Sequence, residues 1–160
     1  MLAAVLYAIA LIVGYYNTTY MDGIPQVVTR EVIDGRKYLA DSNEYLDYIQ
    51  TAHIETVEAV EDYTADLMSS SELSSLMKTK NEALEKKAKE LEDVLAPTDY
   101  DTLHDGIKEM YATQISMNSA AVNYAARKSD DTFVVVENIN NRYEERSKTV
   151  LEMYDEAFQR

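Results

Sequence analysis

The chain has 160 residues, of which 46% are hydrophobic and 28% are charged, and its formal net charge at pH 7 is −14. This length suits one folded domain with a real core, the composition excludes intrinsic disorder, and the acidic excess disfavours nucleic acid and anionic lipid surfaces as partners. The absence of Cys excludes disulfides, thiolate metal sites, Cys nucleophiles and lipid attachment at a lipobox cysteine, and it favours a bacterial origin for an exported domain.

The chain begins "MLAAVLYAIALIVGYYNTTYMD", and its first charged side chain is Asp22. As a helix, this uncharged stretch would be about 31 Å long, close to the thickness of a bilayer's hydrocarbon core. A cleaved signal peptide is not expected, because no Lys or Arg opens the stretch and no small-x-small cleavage site closes it. We therefore predict a retained membrane helix over residues 1–22. Its expected anchor side chains are Leu2, Val5, Leu6, Ile9, Leu11, Ile12, Val13, Tyr15 and Tyr16.

This segment also has a rival interpretation. The residues small enough to let the helix pack closely against copies of itself in an assembly are Ala3, Ala4, Ala8, Ala10 and Gly14. A pilin-type processing signature, with Glu five residues into the apolar stretch, is absent from the sequence. The membrane helix with an acidic domain outside the cytoplasm stays the leading prediction.

Residues 23–160 are predicted to form one helical bundle domain. Only 4 Gly and 2 Pro occur, too few for the turns of a β-sandwich or barrel. Breaks are expected at "DGIP", "SSSEL", "APTDYD" and "RKSDD", and between them apolar residues recur every three or four positions. "TFVVVEN" is kept helical because a lone strand would have no partner. The predicted fold class is all-α, an antiparallel up-down bundle of about four helices preceded by an N-terminal hydrophobic helix.

Each predicted helix has an apolar seam that should face its neighbours. The first seam is Leu46, Ile49, His53, Thr56, Val60, Tyr63 and Leu67, and the second is Leu73, Met77, Leu84, Ala88, Leu91 and Leu95. The third is Leu103, Ile107, Met110, Gln114, Met117, Ala121 and Tyr124, and the fourth is Phe133, Val136, Ile139, Tyr143, Val150, Tyr154 and Phe158. Ser69 with Glu72, Thr98 with Asp101, and Ser129 alone are the expected helix caps.

Two histidines are the candidates for chemistry. His104 has Asp101 and Glu109 nearby in sequence, but a di-metal carboxylate bundle needs Glu-x-x-His on two helices, and Gln50 stands at the matching position before His53. We therefore interpret His104 as a first-turn histidine and expect no metal and no cofactor. His53 lies on an apolar seam, where a hydrogen-bonded neutral histidine is the ordinary reading and a ligand-binding or pH-sensing role is the alternative.

Other polar features favour structural roles. The acidic stripe of Glu55, Glu58, Asp62 and Asp66 lacks the looped geometry of an EF-hand and reads as a solvated face. The 13 tyrosines are expected to fill core volume with their hydroxyls at the rim. No nucleophile elbow, P-loop, dinucleotide fingerprint or zinc-protease motif is present, so we expect a protein that is not an enzyme.

The stretch "LEKKAKELEDVLAPTDYDTLHDGIKEMYATQISMNSAAVNYA" resembles exported, membrane-tethered helical-bundle proteins of Bacillota whose function is unknown. A Lys/Glu-rich helix ends at a proline, and an aromatic residue and a Leu-His pair then open the next helix. Pro97, Tyr100, Leu103 and His104 carry this match. The resemblance implies a helical domain outside the cytoplasm without known catalysis.

The sequence therefore predicts a non-enzymatic, membrane-tethered extracytoplasmic domain that acts as an interaction or cell-envelope component. It would be held at the cell membrane through residues 1–21 and would bind a protein partner or itself, with no nucleic acid involved. A ligand-sensing four-helix bundle is one alternative. A filament or secretion-apparatus subunit assembled through the N-terminal helix is another.

Overall fold

A computed structural model describes residues 18–21, 24–27 and 30–159, with side chains from residue 35 onward. The elements are β1 (Thr18–Met21), β2 (Ile24–Val27), α1 (Arg30–Thr64), α2 (Ser70–Glu92), a 3₁₀ turn (Thr98–Tyr100), α3 (Asp101–Arg127) and α4 (Asp130–Phe158). Four long helices dominate this part of the chain, which confirms the predicted helical bundle. The stretch "TFVVVEN" is helical, as expected, and lies at the start of α4.

The two short strands differ from the sequence prediction. β1 and β2 pair antiparallel, with Thr18 opposite Val27 and Met21 opposite Ile24. The predicted N-terminal helix was drawn through residue 22, but its described part is a strand, in keeping with the strand preference of Thr and Tyr. All predicted anchor residues, from Leu2 to Tyr16, lie outside the described residues. No helix within the described ranges is long and apolar enough to cross a membrane.

The helix boundaries follow local chemistry. Ser69 forms the predicted capping box, in which its hydroxyl accepts from the Glu72 N–H at 3.3 Å and its own N–H donates to the Glu72 carboxylate at 2.8 Å. These bonds hold the pKa of Glu72 below its usual value. Before α4, the Ser129 N–H donates to Thr132 Oγ1 at 3.3 Å, so the cap at Ser129 is confirmed.

The predicted cap of α3 is wrong. Thr98 opens the 3₁₀ turn instead, and α3 begins after Tyr100, which caps it without a side-chain bond. The other end of α3 closes on Lys128, which has a left-handed φ of 43° and donates its N–H to the Tyr124 carbonyl at 2.7 Å. Only Lys128 and Ser129 therefore separate α3 from α4.

The four helices alternate in direction, and α3 packs against each of the other three. Hydrogen bonds between α1 and α3 run in parallel order, from Tyr38 with His104 at one end to Tyr63 with Ala125 at the other. Between α1 and α2, Lys87 pairs with Glu44 at 2.7 Å and Lys80 pairs with Glu55. These ion pairs join the lysine-rich and acidic helices, although exposed pairs contribute only about 0–1 kcal/mol each.

The core divides into two clusters along the bundle. The first core cluster consists of Tyr38, Leu39, Leu46, Ile49, Ala52, Leu84, Leu91, Leu103, Ile107, Met110, Tyr111, Tyr143 and Val150. The second core cluster consists of Ala59, Val60, Tyr63, Leu73, Met77, Met117, Ala121, Tyr124, Ala125 and Val136. Every residue of the predicted third seam is buried, from Leu103 to Tyr124.

Three predicted core residues are exposed because they lie at or beyond helix ends. Leu67 is 78% exposed, since α1 ends at Thr64 and the chain turns through Asp66 at a φ of 60°. Leu95 is 92% exposed, three residues after α2 ends. Phe158 is 73% exposed as the last residue of α4. A helical seam stays buried only while its helix continues.

Candidate functional site

A layer of buried polar side chains separates the two core clusters. Thr56, Gln114 and Asn118 are fully buried there. The Thr56 hydroxyl lies 3.0 Å from Asn118 Oδ1 and 2.8 Å from the Ala52 carbonyl, and Gln114 Nε2 donates to Asn118 Oδ1 at 2.9 Å. The Thr56–Asn118 contact joins α1 to α3 in this layer, while Asn118 Nδ2 is buried without a hydrogen-bond partner in the described structure.

His53 completes the layer at its outer edge. Its Nδ1 lies 2.9 Å from Gln114 Oε1, and because that oxygen can only accept, Nδ1 carries the proton and Nε2 the lone pair of the neutral ring. The imidazole stacks on the Tyr143 ring, with centroids 3.8 Å apart and planes 17° from parallel. Burial lowers the pKa of His53, while the Gln114 bond and the Glu144 charge oppose that shift. The neutral imidazole therefore suits this position.

A groove between α1 and α4 passes above this layer, and we call it the α1–α4 groove. Beside the second core cluster it holds a cavity of about 560 Å³ whose apolar wall is Val57, Val60, Met117, Phe133 and Val136. Polar groups at this cavity include Glu61, Thr64, Glu137, Asn140 and Asn141. A volume of this size falls within the range of sites that hold small ligands or side chains of a partner.

Toward the first core cluster, a second cavity of about 510 Å³ lies along the same two helices. His53 and Tyr143 line it together with Ile54, whose side chain is 57% exposed, and Leu151. Here Tyr143 donates its hydroxyl to the Ile49 carbonyl at 3.2 Å, and further along Tyr154 donates to the Leu39 carbonyl at 3.1 Å. These two tyrosines tie α4 to α1 along the part of the groove that lies beside the first core cluster.

The charge of the groove is mostly negative. Among the charged side chains that line its two cavities in the described structure, Glu61, Glu137, Glu144, Glu152 and Asp155 are acidic and Lys148 is basic. The groove thus combines an apolar wall with carboxylates, and it offers hydrogen-bond acceptors to whatever occupies it.

The structure separates the two histidines that the sequence singled out. His104 lies in the first turn of α3, as predicted, but it is buried, and its Nδ1 lies 3.2 Å from the Tyr38 hydroxyl. Burial and the nearby Lys108 lower its pKa. Asp101 and Glu109 beside it are exposed. Within the described ranges, no group of three or more His, Asp or Glu side chains is placed to hold a metal ion. The acidic stripe from Glu55 to Asp66 is exposed.

Two features escaped the sequence analysis. Asn118 was not predicted as a core residue, although a polar side chain next to the Met117 seam position could have indicated a buried layer. Tyrosine hydroxyls were expected at the rim, but those of Tyr63 and Tyr143 donate to main-chain carbonyls inside the bundle. A helical carbonyl keeps a second lone pair that can accept such a bond.

Comparison with protein-family models, with curated proteins and with solved structures finds no match.

Proposed function

We propose that this protein is a non-enzymatic helical bundle, tethered to the outer face of the cell membrane by its N-terminal segment, that binds a protein partner. The observation that carries the binding role is the α1–α4 groove, an apolar-walled channel with carboxylates between the first and last helices. The tether rests on the uncharged sequence before Asp22. The likeness to exported Bacillota bundles supports the extracytoplasmic placement.

Membrane extraction tests the tether. Cell membranes containing the full chain are washed with alkaline carbonate, and a chain of residues 23–160 is followed in parallel. We expect the full chain to stay with the membranes and the short chain to be soluble and helical. A full chain that is soluble without detergent would refute the tether and favour a packing helix.

The absence of Cys allows the orientation to be tested cleanly. Asn123 is exposed on α3, so Asn123→Cys provides a single reactive thiol on the bundle. We expect a membrane-impermeant maleimide to label this thiol in cells whose cell membrane is intact. Where an outer envelope layer blocks the reagent, that layer is made permeable first. Labelling only after lysis would place the bundle on the cytoplasmic side.

A ligand-sensing bundle is the second candidate, and His53 is the observation that favours it. The imidazole lines the groove, is half-buried, and is bonded to a fully buried layer that links α1 with α3. A ligand at His53 would therefore act on the packing of the bundle. A thermal-shift screen of wild type and His53→Gln tests this role. The role requires a compound that raises the melting temperature of wild type and leaves that of His53→Gln unchanged.

A further inference from the structure

We infer that the α1–α4 groove binds a basic amphipathic helix of a partner protein. This inference rests on the proposed binding function and names the chemistry of the partner. The groove is lined along α1 from Gln50 to Ala65 and along α4 from Phe133 to Asp155. At 1.5 Å per residue, the α1 wall is about 22 Å long, which matches a helix of about 15 residues.

The shape of the groove favours a helix over a small molecule. Its two cavities occupy successive stretches of α1 and α4, so a compact ligand would fill one and leave the other. Each cavity has exposed apolar side chains. Ile54, which is 57% exposed, lines the smaller cavity, and Val57 and Phe133, which are partly exposed, line the larger one. A helix that places apolar residues at i, i+3, i+4 and i+7 would cover this row continuously.

The charges decide which helix fits. The carboxylates of Glu61 and Glu137 stand at one cavity, and those of Glu144, Glu152 and Asp155 stand at the other, with Lys148 the basic side chain among the described lining. A helix with Lys or Arg flanking its apolar face would pair with them. A second copy of this chain, with a formal net charge of −14, would bring acidic groups against acidic groups.

The test uses the full chain in a nonionic detergent, which dissolves it whether or not residues 1–22 enter a membrane. Asn141 lines the larger cavity and Asn123 is exposed on α3, so Asn141→Cys and Asn123→Cys carry an environment-sensitive dye at the groove and away from it. The probe is a synthetic helix of about 15 residues with Leu on one face and Lys beside it. A matched peptide has Glu in place of every Lys.

We expect the Lys peptide to change the emission of the dye at Asn141→Cys saturably, with little change at Asn123→Cys and none from the Glu peptide. Glu61→Gln with Glu137→Gln should weaken binding about 3- to 10-fold, as loss of two exposed ion pairs predicts. The control pair Glu82→Gln with Glu85→Gln, on exposed positions of α2, removes the same charge and should weaken it less.

Several results would overturn the inference. If the two double variants weaken peptide binding equally, the peptide is attracted by the overall charge of the protein alone. If the Lys peptide causes no change in emission, the groove does not accept such a helix. A change in emission on concentrating the labelled protein without peptide would assign the groove to a second copy. The second-copy outcome would refute the basic helix yet keep the groove as a protein-binding surface, so failure of this inference is distinct from failure of the proposed binding function. None of these outcomes affects the carbonate extraction result.

Discussion

The two core clusters are built from the same four helices but close the bundle differently. At the first core cluster, Tyr143 and Tyr154 donate hydroxyls across to α1 carbonyls, so α1 and α4 are joined. At the second core cluster, Tyr63 and Ser70 both donate to the Ala125 carbonyl, at 3.1 and 2.7 Å, which ties α1 and α2 to α3. The larger cavity lies there, between α1 and α4. Tyrosine hydroxyls therefore bridge α1 and α4 beside the smaller cavity, whereas among the described residues no such bond crosses between them beside the larger one.

The difference is sharpened by residue size. The second core cluster contains the small residues Ala59, Ala121 and Ala125 beside the large residues Tyr63 and Tyr124. The first contains Tyr38, Tyr111 and Tyr143, which fill the space between helices. Three of the ten residues of the second core cluster are alanines, whereas the first has one, Ala52, among thirteen. The larger cavity thus lies beside the cluster that is richer in small side chains.

The largest expected effect compares two methionines on α3. Met110 is fully buried in the first core cluster, and Met117 lines the open cavity. We expect Met110→Ala to lower the free energy of unfolding by about 2–5 kcal/mol, and Met117→Ala to cost less because its surroundings already contain a void that water reaches. Urea unfolding of both variants measures this. Equal losses would mean that the two ends are packed alike.

The buried layer between the clusters gives the next effect. Gln114→Leu removes the partner of His53 and one donor to Asn118, and we expect a loss of about 1–3 kcal/mol in the free energy of unfolding. A double-mutant cycle with His53→Phe, which keeps an aromatic ring against Tyr143, isolates the coupling free energy between His53 and Gln114. Additive losses in that cycle would show that His53 and Gln114 do not act together.

Removing a bridging hydroxyl should have a smaller effect. Tyr154→Phe deletes the bond from α4 to the Leu39 carbonyl and keeps the ring, so we expect a loss of about 0.5–1.5 kcal/mol. Tyr48→Phe, on a side chain 37% exposed, is the control and should change the free energy of unfolding by less than about 0.5 kcal/mol. If the two variants lose the same free energy of unfolding, the Tyr154 hydroxyl does not hold α4 against α1.

The smallest expected effect is a pH dependence from His53. Its folded pKa is lowered by burial, so its contribution to stability is complete above the unfolded value of 6.5 and is lost as pH falls through the folded pKa. The free energy of unfolding should therefore decrease from pH 7.5 to 5.5. His53→Gln should flatten that slope, and His104→Gln should flatten it by a separate amount, since burial also lowers the pKa of His104. An unchanged slope in His53→Gln would contradict the prediction.

The sequence predicted the helices and most of the core because a helical period is a local signal. Leu46, Ile49, Leu84, Leu91 and Tyr143 are buried as expected. Leu67 and Leu95 were misplaced because the period continues past the residues where the helices end. Hydrophobic spacing does not encode termination, which here depends on Asp66 and on the segment before Pro97.

The groove was harder to predict than the seams. Its position depends on how far α4 stands from α1, which is set by residues on all four helices at once. One residue type gave a local signal. Gly106 lies inside α3, and an added Cβ there would come 2.8 Å from Val150 Cγ2, so α3 and α4 are in close contact beside the first core cluster. His53 was recognised as a seam residue, but its partner Gln114 could be assigned only once α1 and α3 were known to be parallel.

The bridge from Tyr154 to Leu39 spans 115 residues of sequence, whereas α3 and α4 are joined by two residues, Lys128 and Ser129. Loop-closure entropy makes such a distant contact late to form, so we expect the helix pairs joined by short connections to assemble first and the α1–α4 seam to close at the end of folding. Tyr154→Phe should then speed unfolding while leaving the folding rate nearly unchanged, a φ-value near zero in stopped-flow measurements. A slowed folding rate in that variant would place the closing of the seam before the rate-limiting step.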